Sequence, residues 1–276
     1  MLKAAPIPGY ETGRLNVSIE PSAIGGVTDT RERTHRSGSE NENDQRLFEI
    51  KRDLLQRFGP FWNSHQNVLL RRQSLSRLIY YRDLYQHILD VPGVICEFGV
   101  HWGATLATLI NLRGMYEPFN HSRHIFGFDT FEGFSTVVEQ DGPGHAVGDY
   151  SSYGGYETVL EEILALQESF NPVSHIRKFK LIKGDASATA SQWLKDNPHA
   201  IVSMLILDMD VYKPTLDALN LLRPRLTKGS MIVFDELSSP NWPGETRALD
   251  ETFGLAGLRL RRHPHQPYCA YAIYEG

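Results

Sequence analysis

Short apolar runs alternate with helical patterns of apolar residues along the second two thirds of the chain. Each of the main runs stops at or beside an acid, and these acids are Glu97, Asp129, Asp185, Asp208 and Asp235. Strands alternating with helices predict an α/β fold with a doubly wound, mostly parallel, Rossmann-like sheet. The carboxyl ends of parallel strands share one edge, and ligands bind there in open α/β sheets. We therefore expect these acids to line one site.

The acids also have a purely structural interpretation. Asp residues at strand ends often cap the following helix. However, Asp208-Met209-Asp210 and Asp235-Glu236 carry more acids than capping needs. Such a cluster would repel itself, so a bound cation or a basic neighbour is expected. Magnesium prefers carboxylate oxygens, which makes this part of the edge a predicted metal site.

The segments around the alternating region differ in character. Residues 1–45 are polar and aperiodic, which predicts a flexible N-terminal arm. Residues 46–92 have helical periodicity from Leu47 onward, and these N-terminal helices are expected to cover the crevice or form a subunit interface. Residues 93–276 are expected to form the α/β domain, with a glycine-rich lid loop at about 133–156. Alternation in Leu258–Leu260 and Tyr268–Tyr274 predicts a C-terminal antiparallel hairpin.

Composition excludes several classes of function. The net charge of -5 and the scattered basic residues argue against nucleic acid as a partner. No apolar run approaches the roughly 20 residues of a membrane span. The two cysteines cannot form a disulfide framework, and residues 1–40 lack a signal-peptide layout. We expect a cytoplasmic protein with no membrane partner.

The turn after the first strand predicts a cofactor crevice. It reads Glu97-Phe98-Gly99-Val100-His101-Trp102-Gly103 and precedes an apolar helix. The free N–H groups at the start of that helix could bind a carboxylate, and Glu97 could bind an ammonium group. An amino acid joined to a nucleoside carries both groups. A tight turn without ligand is the alternative. The dinucleotide fingerprint lacks a glycine, so a nicotinamide dehydrogenase is disfavoured. Asp129 is placed to bind ribose hydroxyls, whereas Asp185 either receives adenine or caps a helix.

Several motifs in this order resemble one enzyme family. They are Glu97-Phe98-Gly99-Val100, the run from Phe128 to Phe134, the run from Leu207 to Thr215, Phe234-Asp235-Glu236-Leu237 and Trp242-Pro243-Gly244-Glu245-Thr246. Together they resemble the macrocin and mycinamicin O-methyltransferases, most closely the calicheamicin rhamnosyl O-methyltransferase branch, from about Asn67 to the C-terminus. The resemblance implies S-adenosylmethionine and Mg²⁺ as cofactors. It also implies a glycoside or similar hydroxylated acceptor, and we expect a homo-oligomer.

The resemblance also assigns roles by position. The implied cofactor-binding residues are Glu97, Gly99, Gly103, Thr105, Asp129, Thr130, Phe131, Asp185, Ala186 and Asp208. The implied metal ligands are Asp208, Asp235 and Glu236. Asp210 and Asp208 are the implied catalytic residues, with Asp210 as general base. Candidate substrate contacts are His101, His145, Tyr150, Tyr212 and Trp242.

Two alternatives to sugar methylation stay open at this point. Catechol-type relatives carry a lysine three residues after the metal aspartate, but this chain has Val211 there. A phenol or catechol methyltransferase would also need a flat, aromatic-lined pocket. A non-catalytic nucleotide-binding protein of the same fold would bind the cofactor without turnover. The intact set of acids argues against that second alternative.

Overall fold

The computed structural model describes residues 38–276. In this part of the chain the helices are α1 (Gly38–Phe58), α2 (Trp62–His65), α3 (Arg72–His87), α4 (Ala104–Tyr116), α5 (Tyr156–Ser169), α6 (Ala186–Asp196), α7 (Tyr212–Leu222) and α8 (Gly244–Phe253). The strands are β1 (Val94–Phe98), β2 (Ile125–Asp129), β3 (Phe179–Lys183), β4 (Val202–Leu207), β5 (Leu226–Phe234), β6 (Arg261–His263) and β7 (Gln266–Ile273). Short 3₁₀ turns link several of these elements.

The strands form one seven-stranded sheet in the order β3-β2-β1-β4-β5-β7-β6. Strands β1 to β5 are parallel, and β7 runs antiparallel to both β5 and β6. At the carboxyl edge Phe98 pairs with Phe128 on one side and with Leu207 on the other. The expected doubly wound sheet with a terminal hairpin is therefore confirmed.

Helices cover both faces of the sheet, which explains why strand residues are apolar on both sides. One core layer packs α3, α4 and α5 against residues such as Ile95 and Ile206. The other layer packs α6, α7 and α8 against their neighbours Cys96 and Leu205. Every residue of β4 is buried. The central strands are thus held rigidly, and so is the edge where their acids emerge.

Two expected boundaries are wrong. Helix α1 begins at Gly38, so residues 38–45 belong to a helix and not to a flexible arm, while residues 1–37 lie outside the described part. The first turns of α1 are polar, so apolar periodicity could not indicate them. Asp44, in these turns, forms an ion pair with Arg71. The first hairpin strand is β6 rather than Leu258–Leu260. A two-residue turn at 264–265 sets the pairing of the hairpin.

The predicted lid segment is a loop up to the start of α5, with one 3₁₀ turn at Glu139–Asp141. It folds back on itself, because the backbone N–H of Phe134 donates to Asp149 and the N–H of Gly148 donates to Phe134. Its action as a lid stays a prediction. Within residues 38–276, no helix combines the length and the apolar character needed to cross a bilayer.

Candidate active site

The strand-end acids lie at one edge of the sheet, as the parallel order requires. Asp208 and Asp235 directly follow β4 and β5, which are adjacent strands. Glu97 lies within β1 and Asp129 ends β2, so these two acids occupy the other side of β4. Asp185 lies just beyond β3, at the sheet border. The edge therefore has one side formed by Glu97 and Asp129 and another formed by Asp208 and Asp235, and the two meet between β1 and β4.

The two glycines of the first turn are required by contacts within the protein. Gly99 has a φ of +88°, and a Cβ there would overlap the carbonyl oxygen of Asp208. A Cβ at Gly103 would overlap the side chain of Leu160 on α5. The turn after β1 therefore packs directly against the acid motif that follows β4. The expected ligand contacts of these glycines stay predictions.

Glu97 is a buried carboxyl group with unused hydrogen-bonding capacity. Its side chain is 1% exposed, and its Oε2 atom has no hydrogen-bond partner among the described residues. Burial, reinforced by the nearby charge of Asp208, raises the pKa of Glu97 well above its ordinary value. A cationic ligand group beside Glu97 would favour its charged form. This is the behaviour expected of an ammonium receptor.

Asp129 organises the start of the crevice. Its Oδ2 accepts the backbone N–H of His101 at 2.7 Å, and its Oδ1 accepts that of Phe131 at 2.6 Å. Both donor residues have positive φ, of 49° and 58°. The neighbouring Thr130 hydroxyl donates to the carbonyl of Gly133 at 2.6 Å. Asp129 therefore joins the cofactor turn to the loop after β2, and both of its oxygens are fixed in direction.

Asp185 is the N-cap of α6. Its Oδ1 accepts the N–H of Ser187 at 3.0 Å, and the Ser135 hydroxyl donates to its Oδ2 at 2.5 Å. Burial opposes ionisation of Asp185, but these hydrogen bonds outweigh it and lower the pKa. The capping interpretation therefore holds, and Ala186 is the buried first residue of α6. Contact of Asp185 or Ala186 with adenine stays a prediction.

A basic residue absent from the sequence predictions lies in the acid cluster. Arg77, on α3, donates to Asp208 at 3.0 Å and to Asp235 at 3.1 Å. It also donates to the Thr105 hydroxyl at 3.3 Å, and its guanidinium lies 5.2 Å from the ring centre of Tyr81. Burial opposes its charge, but Tyr81 and the two aspartates outweigh burial and raise the pKa of Arg77. Arg77 is therefore a basic neighbour of the kind that the clustered acids were expected to need.

The sequence did contain a signal for Arg77. It lies one helical turn before Tyr81, on the same face as the buried residues Tyr80, Leu84 and Tyr85. An arginine on the buried face of an amphipathic helix requires a buried acid or carbonyl as partner. The spacing alone does not identify which acid of the sheet edge supplies it.

The acid cluster suits magnesium in the type of its donors but not in their arrangement. Arg77 already bonds an oxygen of Asp208 and one of Asp235, and the Cys269 thiol donates to Asp235 at 3.0 Å. Within residues 38–276, no group of three or more His, Cys, Asp or Glu side chains is arranged to hold a metal ion. The magnesium assignment of Asp208, Asp235 and Glu236 therefore does not fit the site as it stands.

Asp210 has the features of a residue held under strain. It has a φ of +61° and is 5% exposed, between the end of β4 and the start of α7. A buried non-glycine residue in this conformation costs free energy that the surrounding structure must supply. Nearby, Glu245 is fully buried, and burial followed by the charge of Asp210 raises its pKa well above the ordinary value. Glu245 lies in a recognised motif, but its role was not predicted.

Four of the five predicted substrate residues lie in one aromatic cluster. Trp242 is 2% exposed, and His145 stacks on it with ring centres 3.7 Å apart. Tyr150 contacts Trp242 at 5.8 Å and His101 at 6.1 Å. Tyr212 is separate, because its hydroxyl donates to Glu251 on α8. One face of Trp242 is thus already occupied, which leaves sugar stacking on that face as a prediction that needs His145 to move.

The loop is anchored to the acid motif by Asp141, which the sequence predictions also missed. Asp141 is fully buried and accepts the backbone N–H of Tyr212 at 2.5 Å and that of Val138 at 2.7 Å. A Cβ at Gly244 would overlap both Asp141 and the backbone of Tyr212. Asp141 therefore caps α7 from another part of the chain, and it could not be found from local sequence.

Comparison with known proteins places the chain in a family. The macrocin-O-methyltransferase (TylF) family model matches residues 74–251. The chain belongs to the macrocin-O-methyltransferase family. The expected resemblance is thereby confirmed, and Arg77 as well as the acid cluster lies inside the matched range.

Two curated proteins are similar to this chain over part of their length. The mycinamicin III 3''-O-methyltransferase of Micromonospora griseorubida is 26% identical over 54% of this chain and 57% of its own length. The 8-demethyl-8-(2,3-dimethoxy-alpha-L-rhamnosyl)-tetracenomycin-C 4'-O-methyltransferase of Streptomyces olivaceus is 26% identical over 64% of this chain and 65% of its own length. The matches thus span less than two thirds of these curated relatives.

Solved structures are similar over a longer range. The crystal structure of the calicheamicin methyltransferase CalS11 matches with a TM-score of 0.82 and 38% identity, over 88% of this chain and 95% of that protein. Its apo form, described as a TDP-rhamnose 3'-O-methyltransferase, matches with a TM-score of 0.75 and 36% identity, over 88% of this chain and 97% of that one. The fold of this chain is therefore similar to that of CalS11 over most of both chains.

Proposed function

We propose that this chain is an S-adenosylmethionine-dependent O-methyltransferase acting on a sugar hydroxyl of a small molecule. The observation that carries this proposal is the packing of Gly99 against Asp208. This contact supports an arrangement in which a crevice suited to an aminoacyl nucleoside lies beside carboxylates that can accept a proton. Membership of the macrocin-O-methyltransferase family supports the same reaction class.

The cofactor side fits S-adenosylmethionine, which supplies an electrophilic methyl group when bound. The unused Oε2 of Glu97 suits the ammonium group. Helix α4 begins at Ala104, and its N-cap residue Gly103 has no side chain to cap it, so the first N–H groups of the helix suit the carboxylate. Asp129 is fixed by two backbone donors, and each carboxylate oxygen keeps a lone pair for a ribose hydroxyl.

Asp210 is the proposed general base. Its carboxylate takes the proton of the acceptor hydroxyl while that oxygen bonds to the methyl carbon and the cofactor sulfur departs as a neutral thioether. Its strained, buried backbone supports a functional reason for keeping an aspartate there. Val211 follows directly and is buried, so the lysine base of catechol-type enzymes has no counterpart at this position. No step is assigned to magnesium, since the cluster does not fit it as arranged.

The acceptor is proposed from the names of the relatives. The mycinamicin and tetracenomycin enzymes are named for sugars already joined to a natural product, whereas CalS11 is named for TDP-rhamnose. The similarity to CalS11 covers more of both chains. We therefore propose a nucleotide-bound deoxysugar as the first acceptor to test, and a finished rhamnoside as the second.

A mass-spectrometric assay tests the reaction directly. The purified chain is incubated with S-adenosylmethionine and, in separate reactions, TDP-rhamnose, a rhamnoside and a catechol. Methylation of a sugar, with S-adenosylhomocysteine formed in equal amount, is the expected result. Methylation of the catechol alone would support the phenol-type alternative. Cofactor binding without turnover on any acceptor would favour a non-catalytic protein.

The base assignment is tested with a matched pair of variants. Asp210→Asn is expected to keep S-adenosylhomocysteine binding but to slow single-turnover methylation by about 10²–10⁴-fold, the usual contribution of a general base. Asp217→Asn is the control, because Asp217 lies on the following helix α7, where its side chain pairs with the exposed Lys213. An Asp210→Asn variant as fast as this control would move the base elsewhere, with His101 and His145 as the next candidates.

We also propose that the chain acts in the cytoplasm as a homo-oligomer. Both cysteines are free and buried, which suits a reducing compartment. Exposed apolar side chains on α1 and the segment after it, Phe48, Phe61, Trp62 and Val68, suit a subunit interface. Light scattering that shows a monomer at all concentrations would contradict the oligomer.

A further inference from the structure

Arg77 lies where the two sides of the candidate site meet. Its guanidinium bonds Asp208 at 3.0 Å and Asp235 at 3.1 Å. The same guanidinium donates to the hydroxyl of Thr105 at 3.3 Å. Thr105 is the second residue of α4, the helix whose first N–H groups are proposed to bind the cofactor carboxylate. One cation thus contacts the acids after β4 and β5 and the helix that borders the cofactor crevice.

The charges of this cluster reach into the cofactor crevice. Glu97 shows this, because its pKa responds to each of them. Burial raises the pKa of Glu97 most, the charges of Asp208 and Asp235 raise it further, and the charge of Arg77 lowers it. A positively charged ligand group in this crevice is therefore attracted by the two aspartates and repelled by Arg77.

The cofactor itself changes its charge during methyl transfer. The sulfur of S-adenosylmethionine is a positively charged sulfonium, whereas the sulfur of S-adenosylhomocysteine is a neutral thioether. The amino-acid and nucleoside parts of the two molecules are the same. The charge of the cluster therefore acts on the ratio of their affinities, and contacts to the shared parts cancel from that ratio.

Two uncompensated aspartates beside the crevice would favour the sulfonium over the thioether. This preference would stabilise the bound methyl donor, but it would be partly lost in the transition state, where positive charge leaves the sulfur, so it would slow the transfer. Arg77 opposes the preference, because it adds a positive charge to the same two carboxylates. Their side chains are only 20% and 11% exposed, so solvent screens these charges incompletely.

We propose that Arg77 is a positioning and charge-compensating residue of this reaction. It holds Asp208 and Asp235 in place and limits the preference of the site for the charged methyl donor over its neutral product. The inference rests on the proposed function, because it requires that the crevice bind S-adenosylmethionine. Its test measures binding and needs no acceptor, so the inference can fail while methyl transfer to a sugar stands.

The experiment compares the dissociation constants of S-adenosylmethionine and S-adenosylhomocysteine by calorimetry, on the full chain at low ionic strength. In Arg77→Gln the ratio of the two constants should shift about five- to tenfold towards the charged donor. This is the effect of one unit charge about 10 Å away at an effective dielectric constant of about 20. Arg77→Lys keeps the charge, so its ratio should stay within about twofold of the wild type.

A variant of opposite sign covers the cases in which Arg77→Gln folds poorly or its two aspartates take up a proton. Asp235→Asn removes a negative charge and should shift the ratio towards the neutral product by a similar factor. The double variant Arg77→Gln/Asp235→Asn should return the ratio to that of the wild type, because the two changes in charge then cancel.

The matched control is Arg82→Gln, which removes the same charge from the same helix at a residue that pairs with Asp83. Its ratio should equal that of the wild type, and a shift as large as in Arg77→Gln would overturn the inference. A ratio that stays unchanged in both Arg77→Gln and Asp235→Asn would show a purely structural role and would overturn it too. A wild-type chain that binds neither ligand would contradict the proposed function and the inference together.

Discussion

The buried cap formed by Asp141 gives the most direct test of how the loop and the acid motif are joined. Asp141→Ala removes the acceptor for the N–H groups of Tyr212 and Val138, and the Asp141 side chain that accepts them is fully buried. Loss of a helix cap costs about 0.5–2 kcal/mol. A hydrogen bond to a charged group contributes about 1.5–3 kcal/mol. We therefore expect a loss of about 2–5 kcal/mol in the free energy of unfolding.

The variant Asp141→Asn refines this expectation. One amide oxygen can still accept one N–H, but the amide NH₂ would face the other backbone donor, so about half of the loss should remain. The assay is urea unfolding followed by fluorescence and circular dichroism, with S-adenosylhomocysteine binding as a check on the fold. Asp149→Ala is the control, since Asp149 accepts a single N–H from Ala146 at a part-exposed site in the same loop.

Loss of the Asp141 cap should also affect catalysis, because the cap lies close to Asp210 in the chain. Tyr212 begins α7 two residues after Asp210, so loss of the cap should disturb Asp210 more than the distant cofactor residues. Turnover should fall while the affinity for S-adenosylhomocysteine changes little. A stability loss in Asp141→Ala no larger than in Asp149→Ala would refute the argument, because the buried cap would then contribute no more than an exposed loop contact.

Two other predictions concern Asp185 and the cysteines. Asp185→Ala should cost about 1 kcal/mol at neutral pH through loss of the N-cap. The pKa of Asp185 is lowered in the folded protein. Its contribution to the free energy of unfolding is therefore complete above the ordinary aspartate pKa of about 4, and it is lost as the pH falls through the lower folded value. The unfolding curves of the variant and the wild type should converge in acid. Burial raises the pKa of both Cys96 and Cys269, so a thiol reagent at pH 8 should label neither until the chain unfolds, and rapid labelling of the native protein would contradict their burial.

The sheet could be predicted from the sequence because its signals are local. Each buried strand is a short apolar run, and the acid after it marks the edge. The placement of Glu97, Asp129 and Asp208 at one edge follows from parallel order alone. The start of α1 could not be predicted, because polar helical turns have no apolar periodicity.

The residues that complete the site were harder to predict because their partners are distant in sequence. Arg77 bonds acids 131 and 158 positions away, and Asp141 caps a helix 71 positions away. No local pattern identifies such partners, although an arginine on the buried face of α3 was a usable sign. Similarly, the common edge of the acids could be predicted from the order of the strands, whereas the bonds from one guanidinium to two of these acids could not.

The overlap that any side chain at Gly99 would have with Asp208 has a consequence for engineering. The turn that is proposed to hold the methyl donor and the strand end that is proposed to serve the acceptor are in direct backbone contact. A substitution as small as Gly99→Ala would push the two apart and so lengthen the path between the reacting groups, even though it adds only one carbon. Acceptor specificity can therefore be altered through the loop and α3, whereas grafting a new first turn or a new acid motif would require both to be exchanged together.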